Sequence, residues 1–208
     1  MTEPILSDRF NDALGYAERL HRHQTRKGNA IPYVAHLLAV SAMALESGAD
    51  EDVAIAALLH DAVEDQGGIE TLEEIRGRFG DRVARIVAAC SDSTATDPKA
   101  KAPWRDRKEA YLAHLAHADL DIARVTAADK LHNSSAILRD LRRHGPETMK
   151  RFGSSPAAIL WYHAAVAAAL APHRNDAPID EIEAVCEKIA ELLGLDLKAV
   201  MASKGNAG

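Results

Sequence analysis

The sequence is poor in cysteine and in aromatic residues. Its two cysteines, Cys90 and Cys186, have no spacing typical of a zinc site or a disulfide framework, so we expect two structural thiols. Aromatic residues make up only 4% of the chain although hydrophobic residues make up 47%. The apolar content is therefore mostly alanine, leucine, valine and isoleucine, which suits closely packed helices. This composition predicts an all-α protein.

The chain also lacks an excess of positive charge and any long apolar run. Its net charge is −6, which removes the general attraction that drives non-specific binding to nucleic acid or to an anionic membrane. The longest alanine-rich run, AAVAAALA at 164–171, is far shorter than a membrane span, and the first residues contain no apolar core of a signal peptide. We therefore expect a cytoplasmic protein that binds neither nucleic acid nor membranes.

Helical patterns follow one another with short breaks, and no stretch alternates apolar and polar residues as a strand does. We expect a compact bundle of helices forming one domain over residues 1–195, with a partly disordered tail over 196–208. The polar stretch 91–104 is the longest predicted loop and could fold over a ligand. The predicted helices cover 7–24, 32–46, 51–65, 71–80, 82–90, 104–117, 121–145, 155–171 and 178–194.

The segment AALLHDAVED, residues 56–65, carries the clearest chemical signal. Residues four apart share a helix face, so His60 would lie beneath Glu64, and Asp61 beneath Asp65. If the helix ends here, its dipole repels these carboxylates, and a bound cation would offset the repulsion. The segment therefore predicts a divalent metal site with carboxylates that handle water.

Two further predicted helices offer ligands for this site. His36 lies among apolar residues in YVAHLLAV, and Asp129 lies in AADKLHN with Asn133 one turn later. Taken alone, His36 could be a buried core histidine and Asp129 a surface residue. Two imidazoles and two carboxylates suit Mn²⁺, Fe²⁺ or Zn²⁺, and the mixed nitrogen and oxygen set favours an octahedral ion such as Mn²⁺. Such an ion would activate water for hydrolysis.

The order His36, His60, Asp61, Asp129 resembles the HD superfamily of metal-dependent phosphohydrolases. More narrowly, TRKGNAIPYVAHLLAV, AALLHDAVED, IRGRFGDRVARIV and AADKLHN together are similar to the hydrolase domain of the RelA/SpoT alarmone enzymes. Because no synthetase domain follows, the resemblance is closest to the stand-alone small alarmone hydrolases. It covers about residues 8–170.

The resemblance implies a role for each matching position. It implies that Glu64 and Asp65 orient and deprotonate the attacking water. Tyr33 matches a tyrosine near the metal helix. The implied ligands of Mn²⁺ are His36, His60, Asp61 and Asp129. The implied contacts to the nucleotide are Arg26, Lys27 and Asn133.

The sequence departs from this family after Asn133. Residues 154–163 lack the arginine and tyrosine that animal homologues use on substrate phosphates. We expect Trp161 and Tyr162 to belong to the core or to an interface such as a homodimer, and the remaining histidines to be structural or exposed. Four basic residues in and after the polar loop could supply the missing positive charge: Lys99, Lys101, Arg105 and Arg107.

The resemblance implies hydrolysis of the 3′-diphosphate of (p)ppGpp or (p)ppApp, which releases pyrophosphate and a nucleoside 5′-phosphate. Two alternatives stay open. An HD phosphohydrolase could act on another nucleotide, for example on the 2′-phosphate of NADPH. A module that has lost catalysis could bind a nucleotide for regulation, but it would have no need of Glu64 and Asp65.

Overall fold

The computed structural model describes residues 6–92 and 102–205. Within these ranges the chain contains α-helices, two short 3-10 helices and one isolated bridge between Thr25 and Pro32, so the predicted all-α class is confirmed. No helix in the described ranges is long and apolar enough to cross a membrane. The helices are α1 (Asp8–His21), α2 (Val34–Glu46), α3 (Glu51–Leu59), α4 (Ala62–Gln66), α5 (Gly68–Phe79), α6 (Asp81–Cys90), α7 (Trp104–Leu115), α8 (Leu120–His144), α9 (Pro156–Ala169), α10 (Ile179–Leu193) and α11 (Leu197–Ala202).

Several helices begin at a residue whose side-chain oxygen accepts a hydrogen bond from the backbone of the first turn. Ser7 caps α1, Asp50 caps α3 and Asp119 caps α8 in this way. Each cap satisfies an N–H group that has no partner inside the helix. These short polar residues therefore set where the apolar helices start.

Two hydrophobic cores share the long helix α8. The first lies among α1 to α6 and the second among α7 to α11. From α8, Val125 and Ala128 point into the first core, whereas Ala123 and Ala127 point into the second. Small side chains on α8 let helices approach from both sides. The helix thus forms a common wall, and the candidate site lies along it.

The helix predicted over residues 51–65 is broken in the structure. α3 ends at Leu59, Asp61 is the N-cap of α4, and Glu64 lies in the first turn of α4. The backbone N–H of Asp65 still bonds the carbonyl of Asp61 at 3.0 Å, so the four-residue spacing is kept. The dipole argument assumed one helix that ends near Asp65, and it does not apply as stated because Glu64 and Asp65 lie in a separate helix of five residues.

Two other predictions about helix ends differ from the structure. The helix predicted over 71–80 begins earlier, because α5 starts at Gly68, and Thr71 inside it donates its hydroxyl to the carbonyl of Gln66. The packed helices also extend past residue 195, because α11 packs on α9. At Gly205 the φ angle is +72°, and an added Cβ would lie 2.8 Å from the carbonyl oxygen of Ala157. Residues 206–208 of the predicted tail lie outside the described residues.

Candidate active site

A cluster of imidazoles and carboxylates forms where α2, α3 and α8 meet. His36, His60 and Asp129 are buried, and one ligand atom from each lies within 4.8 Å of the others. Oδ2 of Asp61 lies 3.1 Å from Nε2 of His60 and 3.6 Å from Nε2 of His36. The structure therefore brings together the four side chains that the sequence resemblance marks as metal ligands.

The outer nitrogen of each imidazole is occupied, which turns the inner nitrogen toward the cluster. Nδ1 of His60 donates to the carbonyl of Ala57 at 2.8 Å, and Nδ1 of His36 is 2.7 Å from Nδ1 of His132. Both Nε2 atoms are buried and make no hydrogen bond with any described residue. Two buried imidazole nitrogens that face carboxylate oxygens are the arrangement that a divalent cation requires of its ligands.

The carboxylates of the cluster stay ionised although Asp129 is buried and Asp61 is partly buried. Burial raises the pKa of Asp61, but His60 and His36 hold it well below its ordinary value. Burial likewise raises the pKa of Asp129, but Lys130 and the two imidazoles hold it well below the usual range. Negative charge is therefore retained at the point where the ligand atoms converge.

Tyr33, which precedes α2, fixes one of these carboxylates. Its hydroxyl donates to Oδ2 of Asp61 at 2.6 Å. Its ring stacks on His21 with the centroids 5.1 Å apart. Burial and then the charges of Asp61 and Asp65 raise the pKa of the Tyr33 hydroxyl, so it remains a proton donor. Tyr33 thus orients Asp61 within the cluster.

The two carboxylates of α4 have separate partners. The side-chain amide of Gln24 donates to Oδ2 of Asp65 at 2.7 Å. Oε1 of Glu64 lies 3.8 Å from Nη1 of Arg107, which also pairs with the buried side chain of Asp92. The loop after α1 therefore holds Asp65, while α7 brings positive charge near Glu64.

A cavity of about 290 Å³ lies beside the cluster, and Arg26, Lys27, Tyr33 and Asn133 are among the residues that line it. Arg26 donates to Oδ1 of Asn133 at 2.5 Å, and the amide of Asn133 donates to Oδ1 of Asp129 at 2.5 Å. Arg26 and Asn133, two of the side chains predicted to contact the nucleotide, are thus hydrogen-bonded in a chain that ends at a cluster carboxylate.

The four additional basic residues have different outcomes. Lys99 and Lys101 lie outside the described residues, as does most of the predicted 91–104 loop. The guanidinium of Arg105 lies 4.1 Å from the centre of the Trp161 ring, and Arg107 lies near Glu64. Trp161 and Tyr162 are buried in the second core.

Sequence reasoning missed several groups around the site. His132, expected to be structural or exposed, touches His36, and burial followed by the charge of His36 lowers its pKa to about 4. The sequence does indicate this position, because His132 follows Asp129 by three residues and residues three apart share a helix face. Gln24 and His163 gave no signal, because they reach the site through contacts distant in sequence.

An all-α bundle that holds two imidazoles and two ionised carboxylates beside a pocket lined with cations defines a class of protein: a metal-dependent phosphohydrolase. The family model described as "HD domain" matches residues 13–159. The chain belongs to the HD domain family.

Named relatives agree with this assignment. The chain is 37% identical over 139 residues to guanosine-3′,5′-bis(diphosphate) 3′-pyrophosphohydrolase MESH1 of Danio rerio, a match that covers 65% of this chain and 71% of the relative. It is 36% identical over 139 residues to MESH1 of Homo sapiens, with the same two coverages. A solved structure reported as "A metazoan ortholog of SpoT hydrolyzes ppGpp and plays a role in starvation responses" is similar with a TM-score of 0.68 and 28% identity, over 94% of this chain and 100% of that one.

Proposed function

We propose that this chain hydrolyses the 3′-diphosphate of an alarmone nucleotide, (p)ppGpp or (p)ppApp, and releases pyrophosphate. The observation that carries the proposal is the convergence of two imidazole nitrogens that lack a hydrogen bond and two ionised carboxylates beside a cavity lined by cations. The names of the MESH1 relatives give the substrate class.

His36, His60, Asp61 and Asp129 would hold a divalent ion in this proposal, and Mn²⁺ suits their mixed nitrogen and oxygen set. When bound, the ion supplies Lewis-acid activation of water and offsets charge on the phosphate oxygens. Tyr33 keeps Asp61 pointed at the ion, and Ala57 keeps His60 in the tautomer that presents Nε2.

Glu64 is the proposed general base. The water oxygen forms a bond to the phosphorus attached to O3′ of the ribose, and the bond between that phosphorus and O3′ breaks. Glu64 accepts a proton of the water, and O3′ gains a proton as it leaves. Asp65, held by Gln24, orients the water. The products are pyrophosphate and a nucleoside that keeps its 5′-phosphates.

Arg26, Lys27 and Asn133 bind the nucleotide in this proposal. The chain of hydrogen bonds from Arg26 through Asn133 to Asp129 would set the nucleoside at a fixed distance from the cluster. Lys27 lies 5.7 Å from the centre of the Phe152 ring at the cavity wall. The cytoplasmic location and the homodimer stay predictions from the sequence.

A turnover assay tests this function. Purified protein with Mn²⁺ is offered ppGpp, ppApp and NADPH in parallel, and released pyrophosphate and orthophosphate are measured separately. We expect pyrophosphate from at least one 3′-diphosphate nucleotide and none after removal of metal by EDTA. Orthophosphate from NADPH alone, or no turnover of any of the three with metal bound, would contradict the proposal.

Two variants separate metal binding from proton transfer. Asp61→Ala should lose metal binding and turnover together, as measured by metal titration and the same assay. Glu64→Gln should keep metal affinity but reduce kcat by about 10²- to 10⁴-fold, the contribution typical of a general base. Glu70→Gln, an exposed change on α5, is the matched control and should keep full activity. A near-full rate for Glu64→Gln would remove Glu64 from the base role.

A further inference from the structure

One end of the cavity holds groups that the proposed mechanism does not use. α7, α8 and α9 converge there and contribute Lys108, Lys130, Tyr162 and His163 to the cavity wall. Nζ of Lys108 lies 4.7 Å and Nζ of Lys130 5.5 Å from the centre of the Tyr162 ring. Two ammonium groups therefore lie close to one aromatic ring, and Lys130 pairs with Asp129 of the cluster.

The carboxylates nearby do not fully offset these two charges. The lysine side chains are only 15% and 13% exposed, so their charges are largely removed from water. Lys108 pairs with Asp92 at 2.5 Å, but Asp92 also pairs with Arg107. Lys130 pairs with Asp129, which a bound divalent ion would share. Buried charge without a full partner is unfavourable, so this end of the cavity favours an anion once the metal is bound.

His163 adds an unpartnered polar atom at the same place. It is 6% exposed, and its Nδ1 atom is buried without a hydrogen bond to any described residue. Burial and then the charges of Lys130 and Lys108 lower the pKa of His163 to about 3, so the ring is neutral near pH 7. A neutral imidazole can donate one N–H to an anion, and leaving such a group unpaired costs free energy.

We propose that Lys108, Lys130 and His163 form a subsite that binds the diphosphate group of the substrate and then the pyrophosphate product. Two cations and one neutral donor suit an anion with many oxygens better than a single phosphate. Lys130 touches the cluster through Asp129, which places the subsite next to the bond that is cut. The proposal rests on the proposed function for the identity of the diphosphate, but its binding test does not require turnover.

Titration with inorganic pyrophosphate tests the subsite directly, by calorimetry on the full chain, first with EDTA and then with Mn²⁺. Lys108→Met should weaken pyrophosphate binding about tenfold in both conditions, the usual loss for one charge-assisted hydrogen bond. Lys188→Met removes the same charge on α10, outside the lining of this cavity, and is the matched control, for which pyrophosphate affinity should stay unchanged. An equal loss in both lysine variants would overturn the proposal, because it would indicate only the general charge of the protein.

A pair of nearly isosteric variants tests the histidine. His163→Leu removes the donor and should weaken pyrophosphate binding about tenfold, whereas His163→Asn keeps a donor near the Nδ1 position and should retain most of the affinity. Equal affinities of the two variants would remove His163 from the subsite. Thermal melting first shows that each variant is folded, and Lys108→Met provides an independent result if His163→Leu is not.

Two further measurements, the affinity for orthophosphate and the turnover of nucleotides, separate the subsite from the proposed function. We expect orthophosphate to bind more weakly than pyrophosphate to the wild-type chain, and equal affinity would overturn the assignment to a diphosphate. If the pyrophosphate results hold but no 3′-diphosphate nucleotide is hydrolysed, the subsite stands and the proposed function fails. If ppGpp is hydrolysed but every variant binds pyrophosphate as the wild-type chain does, the proposed function is supported and the proposed subsite is wrong.

Discussion

The hydroxyl of Tyr33 does for Asp61 what the carbonyl of Ala57 does for His60, since each fixes the direction of one group in the cluster. Such partners contribute to metal affinity without touching the metal. The ring of Tyr33 is held separately by its stacking on His21. Loss of the hydroxyl alone should therefore leave the fold unchanged.

Tyr33→Phe should weaken divalent-metal binding by about 10- to 100-fold, the range for loss of an outer hydrogen-bonding partner. Isothermal titration calorimetry with Mn²⁺ measures this affinity. Tyr16→Phe is the matched control, because Tyr16 packs against Phe79 in the first core, away from the cluster. Equal metal affinities for Tyr33→Phe and the wild-type chain would show that Asp61 needs no such support.

At the scale of single residues, most of the candidate site could be predicted from short sequence motifs. Helical spacing predicted His60 beneath Glu64 and Asp61 beneath Asp65. The backbone hydrogen bond from Asp65 to Asp61 keeps the second spacing across the break between α3 and α4. His132 could have been found by the same spacing from Asp129. Gln24 could not, because its hydrogen bond to Asp65 joins residues far apart in sequence and depends on how α1 packs.

At the scale of the helices, the break between α3 and α4 decides where the carboxylates lie. Gly67 ends α4 and precedes α5 with φ at +138°, a conformation that residues with a side chain rarely adopt. An added Cβ would also lie 2.4 Å from Oγ1 of Thr71. The position of Glu64 thus depends on a glycine three residues later.

Gly67→Ala should lower the free energy of unfolding by about 1–3 kcal/mol, the usual cost of a strained backbone conformation. It should also reduce kcat, because α4 must shift to relieve the strain. Gly77→Ala in the last turn of α5 is the control, since nothing lies within 4 Å of its added Cβ. That variant should be as stable as the wild-type chain or more stable by about 1 kcal/mol. Thermal melting and the turnover assay compare the two, and equal melting temperatures would exclude strain at Gly67.

Helix ends were predictable where the sequence itself stops the helix. The helix predicted over 121–145 is seen as Leu120–His144, because Gly145 terminates a continuous apolar pattern. The break after Leu59 was not predictable, because the apolar pattern runs straight through it. At the break, Asp61 contacts Tyr33 and His36, and His60 contacts Asp129, and these are tertiary contacts.

For the molecule as a whole, the shared helix α8 predicts that the two cores unfold together. Both tryptophans, Trp104 and Trp161, pack in the second core, so their fluorescence reports on that half. Ile55 is fully buried in the first core. Two separate cores were not evident from the sequence, because helical periodicity shows which face is buried but not against which helix.

Ile55→Ala should cost about 2–5 kcal/mol, as expected for a buried cavity. We expect the midpoint of urea unfolding to fall equally by tryptophan fluorescence and by far-ultraviolet circular dichroism. A fluorescence midpoint that stays at the wild-type value would show that the second core unfolds independently. That result would also contradict the predicted single domain.

The contact between Gly205 and α9 has a practical meaning for fusion proteins. The backbone at Gly205 rests on the helix that also carries Tyr162 and His163, with no room for a side chain between them. A rigid linker that pulls on this segment would strain the wall of the cavity. A flexible glycine-serine spacer, or attachment of the affinity tag at the other end of the chain, avoids that strain.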